Sequence, residues 1–255
     1  MRSTADQHAW AEGHAARKYA ESLAAELSGL PDDIIRSGTN VSMSKLQRSR
    51  VSQDASSALL ANVREEASNL SFPPKNVMRC SGASIFRTQA ARDVGCLLDV
   101  DPSVTLWQCL PDVLTHRGRH HVPDFAVHRA SSSTLIDVVS PMRRPPPAWA
   151  RMAAEKLGFA YEILREADLC GDVRLENARD LLQYAHYRAT LGDRVRILGL
   201  IEEHGSQPLS ACLLMVRNSH DAIGVVAALT LRRFIEMDLD EARIGPHTRV
   251  SAFKG

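Results

Sequence analysis

The chain has 255 residues, with 31 Lys and Arg, 30 Asp and Glu, and 44% hydrophobic residues. This composition is typical of a globular protein and argues against a disordered, collagen-like or membrane-embedded chain. A net charge of +1 provides no overall attraction to nucleic acid, so any DNA contact has to come from local basic patches. The five cysteines form no C-x-x-C pair, and the sequence shows neither an apolar leader nor a spanning segment. We therefore predict a soluble, cytoplasmic protein with no membrane partner.

Three regions follow one another along the chain. Residues 1–57 are predicted to form an amphipathic helix over 4–30 and then a polar, Ser-rich linker; the helix either docks on a partner or packs on its own protein. Residues 58–190 mix helical and strand patterns, including an apolar-periodic helix over 84–98, and predict an α/β domain. Residues 191–255 have a different pattern and are predicted to form a separate C-terminal domain.

The most regular pattern in the chain predicts a β-hairpin. Residues 121–127 and 134–139 are each typical of a strand, and serines dominate the turn between them. If the connection holds an even number of residues, such as 129–132, Asp124 lies opposite Asp137 and two carboxylates share one face of a sheet. A helix and a further strand are predicted next, over 148–157 and 159–164. A strand-helix-strand crossover of this kind implies a mixed α/β sheet.

The last region predicts a winged helix-turn-helix module, because three helices are followed by two strands. Asp193 is predicted to cap the first helix, the other helices to cover about 208–215 and 219–232, and the strands to cover 234–239 and 248–253. The third helix is apolar nearly all round, so we predict that it is buried and that only its ends could meet DNA. Docking of a protein partner is an equally open interpretation.

Asp124 and Asp137 are candidate catalytic residues and candidate metal ligands. Two carboxylates on one face of a sheet suit Mg²⁺ or Mn²⁺, which take hard oxygen ligands and activate water for phosphodiester cleavage. The alternative is that both are ordinary solvated acids of a hairpin.

A longer series of short motifs extends this hairpin in both directions. It consists of Ala91-Arg92-Asp93, Leu97 to Val104, Pro111, Gly118-Arg119, Val122 to Val127, Leu135 to Val138, and Leu164 to Leu169 after the helix that contains Lys156. The order and spacing of these motifs resemble the N-terminal domain of TnsA-like transposon endonucleases, in the PD-(D/E)XK nuclease superfamily. The close of the chain, Arg232 to Leu239 and His247 to Val250, is similar to that family's C-terminal winged-helix-like domain.

The resemblance implies a restriction-endonuclease-like mixed sheet core with flanking helices, followed by a C-terminal winged-helix domain. It also implies a catalytic set made of a helix acid, the Asp of Pro-Asp-Phe, and an acid-x-Lys motif on the next strand. Asp124 and Asp137 match the two strand acids. The helix acid, however, falls on Ala91, and the lysine falls on Val139. Losing a metal ligand and a transition-state cation together predicts little or no cleavage.

Neighbouring side chains offer a route to rescue of this catalytic set. Asp93 or Gln89 could replace the helix acid, and Arg143 could replace the lysine. Asp93, however, is two positions along the helix and points roughly 200° away from Ala91, which disfavours its substitution for the helix acid.

Basic side chains around the hairpin are predicted to bind the DNA backbone, namely Arg117, Arg119, His120, His121, Arg143, Arg144 and Arg151. A second interpretation makes the local histidines ligands of zinc or a softer metal together with Asp124; these are His116, His120, His121 and His128. His120 and His121 point to opposite faces of any strand, which favours the DNA-groove interpretation.

The resemblance implies a TnsA-like subunit of a heteromeric DNA transposition machinery. It would bind transposon-end DNA beside a separate transposase and other transposition subunits. We predict a catalytically degenerate copy, with Mg²⁺ or Mn²⁺ as cofactor only if cleavage survives. Two alternatives stay open: an active metal-dependent DNA endonuclease with a migrated catalytic site, and a non-catalytic DNA-binding regulator that acts through the winged helix.

Overall fold

The computed structural model describes residues 54–141 and 143–254 of the chain. The predicted helix over 4–30 and nearly all of the predicted linker lie outside the described residues. Helix α1 covers 54–68, so the last four residues assigned to the linker are helical. The reason is local, because alanines recur from Ala55 onward and alanine is the strongest helix former.

The central sheet is mixed, with strand order β1-β4-β5-β6. Its first three strands are antiparallel, whereas β5 and β6 run parallel. A two-stranded ribbon, β2-β3, lies between β1 and β4 in the chain. The strand bounds are β1 Val104–Cys109, β2 Leu114–His116, β3 Arg119–His121, β4 Phe125–Arg129, β5 Ser133–Val139 and β6 Ala160–Arg165. These observations confirm a mixed α/β sheet with flanking helices.

Two helices flank this sheet, α2 at Gln89–Val100 and α3 at Ala150–Lys156. Helix α2 begins five residues later than predicted because Thr88 is its N-cap and accepts a hydrogen bond of 3.0 Å from the Ala91 amide. Helix α3 connects the parallel strands β5 and β6, as predicted for a crossover. No helix of the described residues is long and apolar enough to cross a membrane.

The predicted register of the β4-β5 hairpin is confirmed. Phe125 pairs with Ile136 and Ala126 pairs with Leu135, and the turn closes with an Arg129 amide to Ser132 carbonyl hydrogen bond of 2.8 Å. Asp124 directly precedes β4. Extending the register by one residue therefore places it opposite Asp137.

Side chains alternate between the two faces of the sheet, and each face has its own hydrophobic cluster. Trp107, Phe125 and Ile136 pack on the α2 face, whereas Ala126 and Leu135 pack on the α3 face. Because successive strand residues point to opposite faces, the two aspartates belong to the α3 face.

The rest of the chain is helical with a small three-stranded sheet of order β7-β9-β8. A short 3₁₀ helix, Glu166–Leu169, follows β6. The remaining elements are α4 Val173–Leu182, α5 Leu191–His204, β7 Gln207–Pro208, α6 Leu209–Leu214, α7 Ala222–Leu231, β8 Ile235–Met237 and β9 Arg249–Ala252. Residues Gly224 to Leu229 of α7 are all buried, as predicted for the apolar third helix.

Helix α4 shares its hydrophobic cluster with these C-terminal elements. Leu175 and Leu181 of α4 pack in the same buried cluster as Ile197 of α5, Val225 of α7 and Ile235 of β8. This cluster therefore runs across residue 190, where we predict a domain boundary. That boundary stays a prediction.

Asp193 does not cap α5, contrary to the prediction, because Thr190 is the N-cap of this helix. Asp193 is instead fully buried in the first turn and accepts hydrogen bonds from the Arg217 amide at 2.9 Å, the Asn218 amide at 3.0 Å and the Ser219 hydroxyl at 2.7 Å. Burial raises the pKa of this carboxyl, but these hydrogen bonds outweigh burial and hold the pKa below its ordinary value. Asp193 thus fixes the segment between α6 and α7 on the start of α5.

We expect Asp193→Ala to lower the free energy of unfolding by about 3 kcal/mol, because two partly buried amides and a hydroxyl lose their acceptor. Since the folded-state pKa is depressed, the contribution of Asp193 is complete above the unfolded-state pKa of about 3.9 and is lost as the pH falls below it. Urea denaturation between pH 3 and pH 7 measures both effects. Asp112→Ala, at an exposed position, is the control and should change stability by less than about 0.5 kcal/mol.

Candidate functional site

Asp124 is the centre of a buried polar cluster on the α3 face of the sheet. Its side chain is 2% exposed. Oδ1 accepts a hydrogen bond from Arg87 Nε at 2.8 Å and lies 2.7 Å from Arg87 Nη2. Oδ2 accepts from the Val138 amide at 2.8 Å and from Arg143 Nη1 at 2.5 Å. Each carboxylate oxygen of Asp124 therefore carries one guanidinium.

The two arginines reach Asp124 from different segments. Arg87 stands just before the Thr88 cap of α2 and also donates to the Val122 carbonyl at 2.8 Å. Arg143 follows β5 and also donates to the Val138 carbonyl at 3.2 Å. Burial lowers the pKa of Arg87, and the positive charge of Arg143 adds to this effect. The negative charge of Asp124 opposes it. An arginine side chain stays charged at neutral pH, so the cluster holds two cations.

Asp137 lies beside Asp124 and has a different set of partners. His121 Nε2 is 2.7 Å from Oδ2, and the Tyr161 hydroxyl donates to the same oxygen. An ionised carboxylate only accepts hydrogen bonds, so the contact is a hydrogen bond in the tautomer of His121 that has its proton on Nε2. Burial and the hydrogen bond to Asp137 raise the pKa of Tyr161, which keeps its hydroxyl a donor. Oδ1 is buried, with no hydrogen-bond partner in the described part of the chain, and lies 3.9 Å from Arg143 Nη2.

These carboxylates do not fit a divalent metal ion in this arrangement. Three of their four oxygens already accept hydrogen bonds from guanidinium, imidazole, phenol or amide groups. At about 4 Å and an effective dielectric constant of about 20, one guanidinium repels a divalent cation by on the order of 8 kcal/mol, which offsets the attraction of one carboxylate at the same distance. Across residues 54–141 and 143–254, no group of three or more His, Cys, Asp and Glu side chains is arranged to hold a metal ion.

The positions of the helix acid and the lysine hold side chains that cannot replace them. Ala91 is buried in the cluster on the α2 face, away from both aspartates. Val139 lies at the end of β5, paired with Arg165 of β6. Arg143, in contrast, does reach the carboxylates, which is the position that the rescue hypothesis gave it in place of the lysine.

The acid proposed for rescue is engaged elsewhere. Asp93 forms an ion pair of 2.6 Å with Arg179 of α4 and accepts a hydrogen bond of 2.7 Å from Gln89. Both candidate replacements thus point toward α4 rather than toward Asp124. Arg87, just before α2, reaches Asp124 instead, so a cation comes from the segment on which the resemblance expects an acid.

The seven predicted DNA-binding side chains divide into two groups. Exposed side chains are Arg117, Arg119, His120, Arg144 and Arg151. His121 and Arg143 are mostly buried, with 14% and 21% of their side chains exposed, and are engaged with the aspartates. The exposed group lies on the β2-β3 ribbon, the segment after β5 and helix α3, which are the elements around the cluster.

The four histidines considered as metal ligands have separate partners. His116 stacks on Trp149 with ring centroids 5.7 Å apart, His120 Nδ1 lies 3.2 Å from the Thr115 hydroxyl, and His128 Nδ1 lies 2.8 Å from the Ser133 hydroxyl. The hydrogen bond of His128 lies at the turn end of the hairpin, whereas Asp124 lies at its open end. These contacts favour structural roles over a shared metal.

Two residues of the cluster, Arg87 and Tyr161, have no place in the sequence prediction. Arg87 has no motif around it, and only the fold brings it to Asp124. Tyr161 could have been found from the register, because it pairs with Leu135 and therefore shares a face with Asp137.

Comparison with known proteins assigns no family to this chain. No protein-family model matches it, and no curated protein matches it. The chemistry of the cluster therefore has to be inferred from its own contacts.

We expect Asp124→Ala to lower the free energy of unfolding by about 3–5 kcal/mol, because it leaves two largely buried guanidiniums without their counter-charge. Urea denaturation monitored by circular dichroism measures the change. Asp101→Ala, which breaks a half-exposed ion pair with Arg129, is the matched control and should cost about 1 kcal/mol. A neutral or stabilising effect of Asp124→Ala would show that the carboxylate does not hold the arginines.

Proposed function

We propose that this protein is a TnsA-like subunit of a DNA transposition machinery that binds transposon-end DNA without cleaving it. The observation that carries the proposal is that side chains of this protein already engage both aspartates. The carboxylate of Asp124 is hydrogen-bonded to Arg87 and Arg143. The carboxylate of Asp137 is hydrogen-bonded to His121 and Tyr161. Carboxylates engaged in this way serve as anchors for cations rather than as metal ligands.

The order of elements supports the same proposal. A restriction-endonuclease-like core requires a helix, two antiparallel strand pairs and a helical crossover to a parallel strand. This chain has the helix α2, the antiparallel strands β1, β4 and β5, and the crossover helix α3 that leads to the parallel strand β6. Three helices and a small antiparallel sheet, α5 to β9, are the parts of a winged helix. In this proposal a separate transposase, with other transposition subunits, supplies the strand chemistry.

Contact with DNA is assigned to the exposed basic side chains around the cluster. Arg117 and Gly118 form a tight turn at the tip of the β2-β3 ribbon, with φ of 47° and 73°, and this turn presents Arg117 and Arg119 to solvent. Arg144 and Arg151 extend the basic surface on the segment after β5 and on α3. One guanidinium group can bind two oxygens of a phosphate, so a surface of several arginines is suited to binding the backbone of a nucleic acid. The buried α7 leaves only its ends for base contacts, which makes backbone binding the main contribution to affinity.

In the presence of Mg²⁺ or Mn²⁺, transposon-end DNA and the transposase, we expect this protein to nick DNA at a rate at least about a hundredfold below that of an enzyme with an intact catalytic site. A gel assay of end-labelled DNA measures nicking, and a reaction with transposase alone is the control. Robust nicking that Asp124→Ala abolishes would establish the active endonuclease instead.

We expect the double variant Arg117→Gln, Arg119→Gln to weaken binding of duplex DNA. The slope of log affinity against log salt should fall by about 1 for each phosphate group that the two side chains no longer neutralise. Fluorescence anisotropy at several salt concentrations measures both quantities. The control is Arg129→Gln with Arg243→Gln, because these arginines are engaged in ion pairs with carboxylates. If instead the double variant bound DNA normally and His220→Ala, at an exposed position just before α7, abolished binding, the protein would act as a regulator through its C-terminal part.

A further inference from the structure

We propose that Arg87 and Arg143 together bind one phosphate group at the position where a nuclease of the resembled type holds its metal ion. The inference rests on the proposed function, since the expected source of that phosphate is the DNA backbone. Free inorganic phosphate presents the same chemistry and is the second source to be tested. In this arrangement Asp124 is a positioning residue that holds the two guanidiniums.

Each guanidinium donates hydrogen bonds to the protein from part of its edge and has one terminal nitrogen that makes no hydrogen bond to the described residues. Arg87 donates from Nε and Nη2, and its Nη1 makes no hydrogen bond to the described residues. Arg143 donates from Nη1, whereas Nη2 has only Asp137 Oδ1 near it, at 3.9 Å. None of these free nitrogens is among the buried polar atoms without a partner, so they face solvent. The side chains of Arg87 and Arg143 are 20% and 21% exposed.

The two guanidiniums are neighbours because one carboxylate holds both side chains. Arg87 binds Oδ1 of Asp124 and Arg143 binds Oδ2, and the two oxygens of a carboxylate are about 2.2 Å apart. A phosphate has several oxygens and can accept hydrogen bonds from two guanidiniums at once. The paired arginines thus match a tetrahedral anion better than a cation.

Asp124 and Asp137 balance the charges of Arg87 and Arg143, so the preference for an anion depends on the further basic side chains at the entrance. Burial lowers the pKa of Arg87, the charge of Asp124 raises it, and the positive charge of Arg143 lowers it, as expected from repulsion between two neighbouring guanidiniums. A phosphate oxygen on the solvent side would reduce this repulsion. Arg144, exposed next to Arg143, adds a further cation at the entrance.

The test compares Arg143→Gln with Arg129→Gln, an arginine at the far end of the same hairpin that pairs with Asp101. The first probe is a labelled DNA duplex followed by anisotropy, and the second is inorganic phosphate followed by calorimetry. Circular dichroism melting verifies folding. If Arg143→Gln does not fold, Asp124→Asn with Arg143→Gln removes both charges together. Arg87→Lys keeps the charge but loses the two-pronged hydrogen bonding.

We expect Arg143→Gln to lower DNA affinity about tenfold and the salt slope by about 1. Arg87→Lys should lower DNA affinity about tenfold with the salt slope unchanged, because the charge is kept, and Arg129→Gln should change neither quantity. If wild-type protein binds DNA and folded Arg143→Gln binds equally well, the phosphate site is wrong and the proposed function stands. If DNA does not bind but phosphate does, in a manner that Arg143→Gln abolishes, the site stands and the DNA function fails. Binding of neither probe overturns both.

Discussion

A buried carboxylate has to be supplied with hydrogen-bond donors, and Asp124 meets this requirement by drawing on three separate segments. The amide of Val138 comes from the paired strand, Arg87 from the start of α2, and Arg143 from the chain after β5. Leaving a buried charge unpaired costs several kcal/mol, so these segments are held to each other through one side chain. The position of α2 relative to the sheet edge depends on this interaction as well as on the apolar cluster beneath it.

The same carboxylate pair can therefore serve two different chemistries. With oxygens open to solvent, two such acids can recruit a divalent cation, whereas here Arg87 and Arg143 neutralise the charge that would attract one. The change needs no new fold, since it follows from Arg87 and Arg143 reaching Asp124. An acidic residue at an expected catalytic position is therefore not enough to indicate activity, and the side chains that contact it have to be known. A carboxylate that is buried beside two arginines is already needed for stability.

Elements governed by local periodicity were predictable from the sequence. The hairpin register is confirmed because the connection from Arg129 to Ser132 holds an even number of residues, and a turn of defined length fixes the pairing of its two strands. The burial of α7 follows in the same way from its uniform apolarity. Arg87 and the true role of Asp193 were not predictable, because both depend on partners distant in sequence. Whether DNA binding follows from the exposed arginines stays a prediction.

The cluster shared by α4 and the C-terminal helices has a consequence for how the chain can be divided. Arg232 donates to the Ala185 carbonyl, Arg79 donates to the Leu231 carbonyl, and Arg233 donates to the Asp101 carbonyl, so polar contacts also cross this junction. A chain ending at residue 190 would expose Leu175, Leu181 and their neighbours to water. Hydrogen exchange should therefore find one cooperative unit on both sides of that residue, with protection in α4 lost whenever α5 and α7 open.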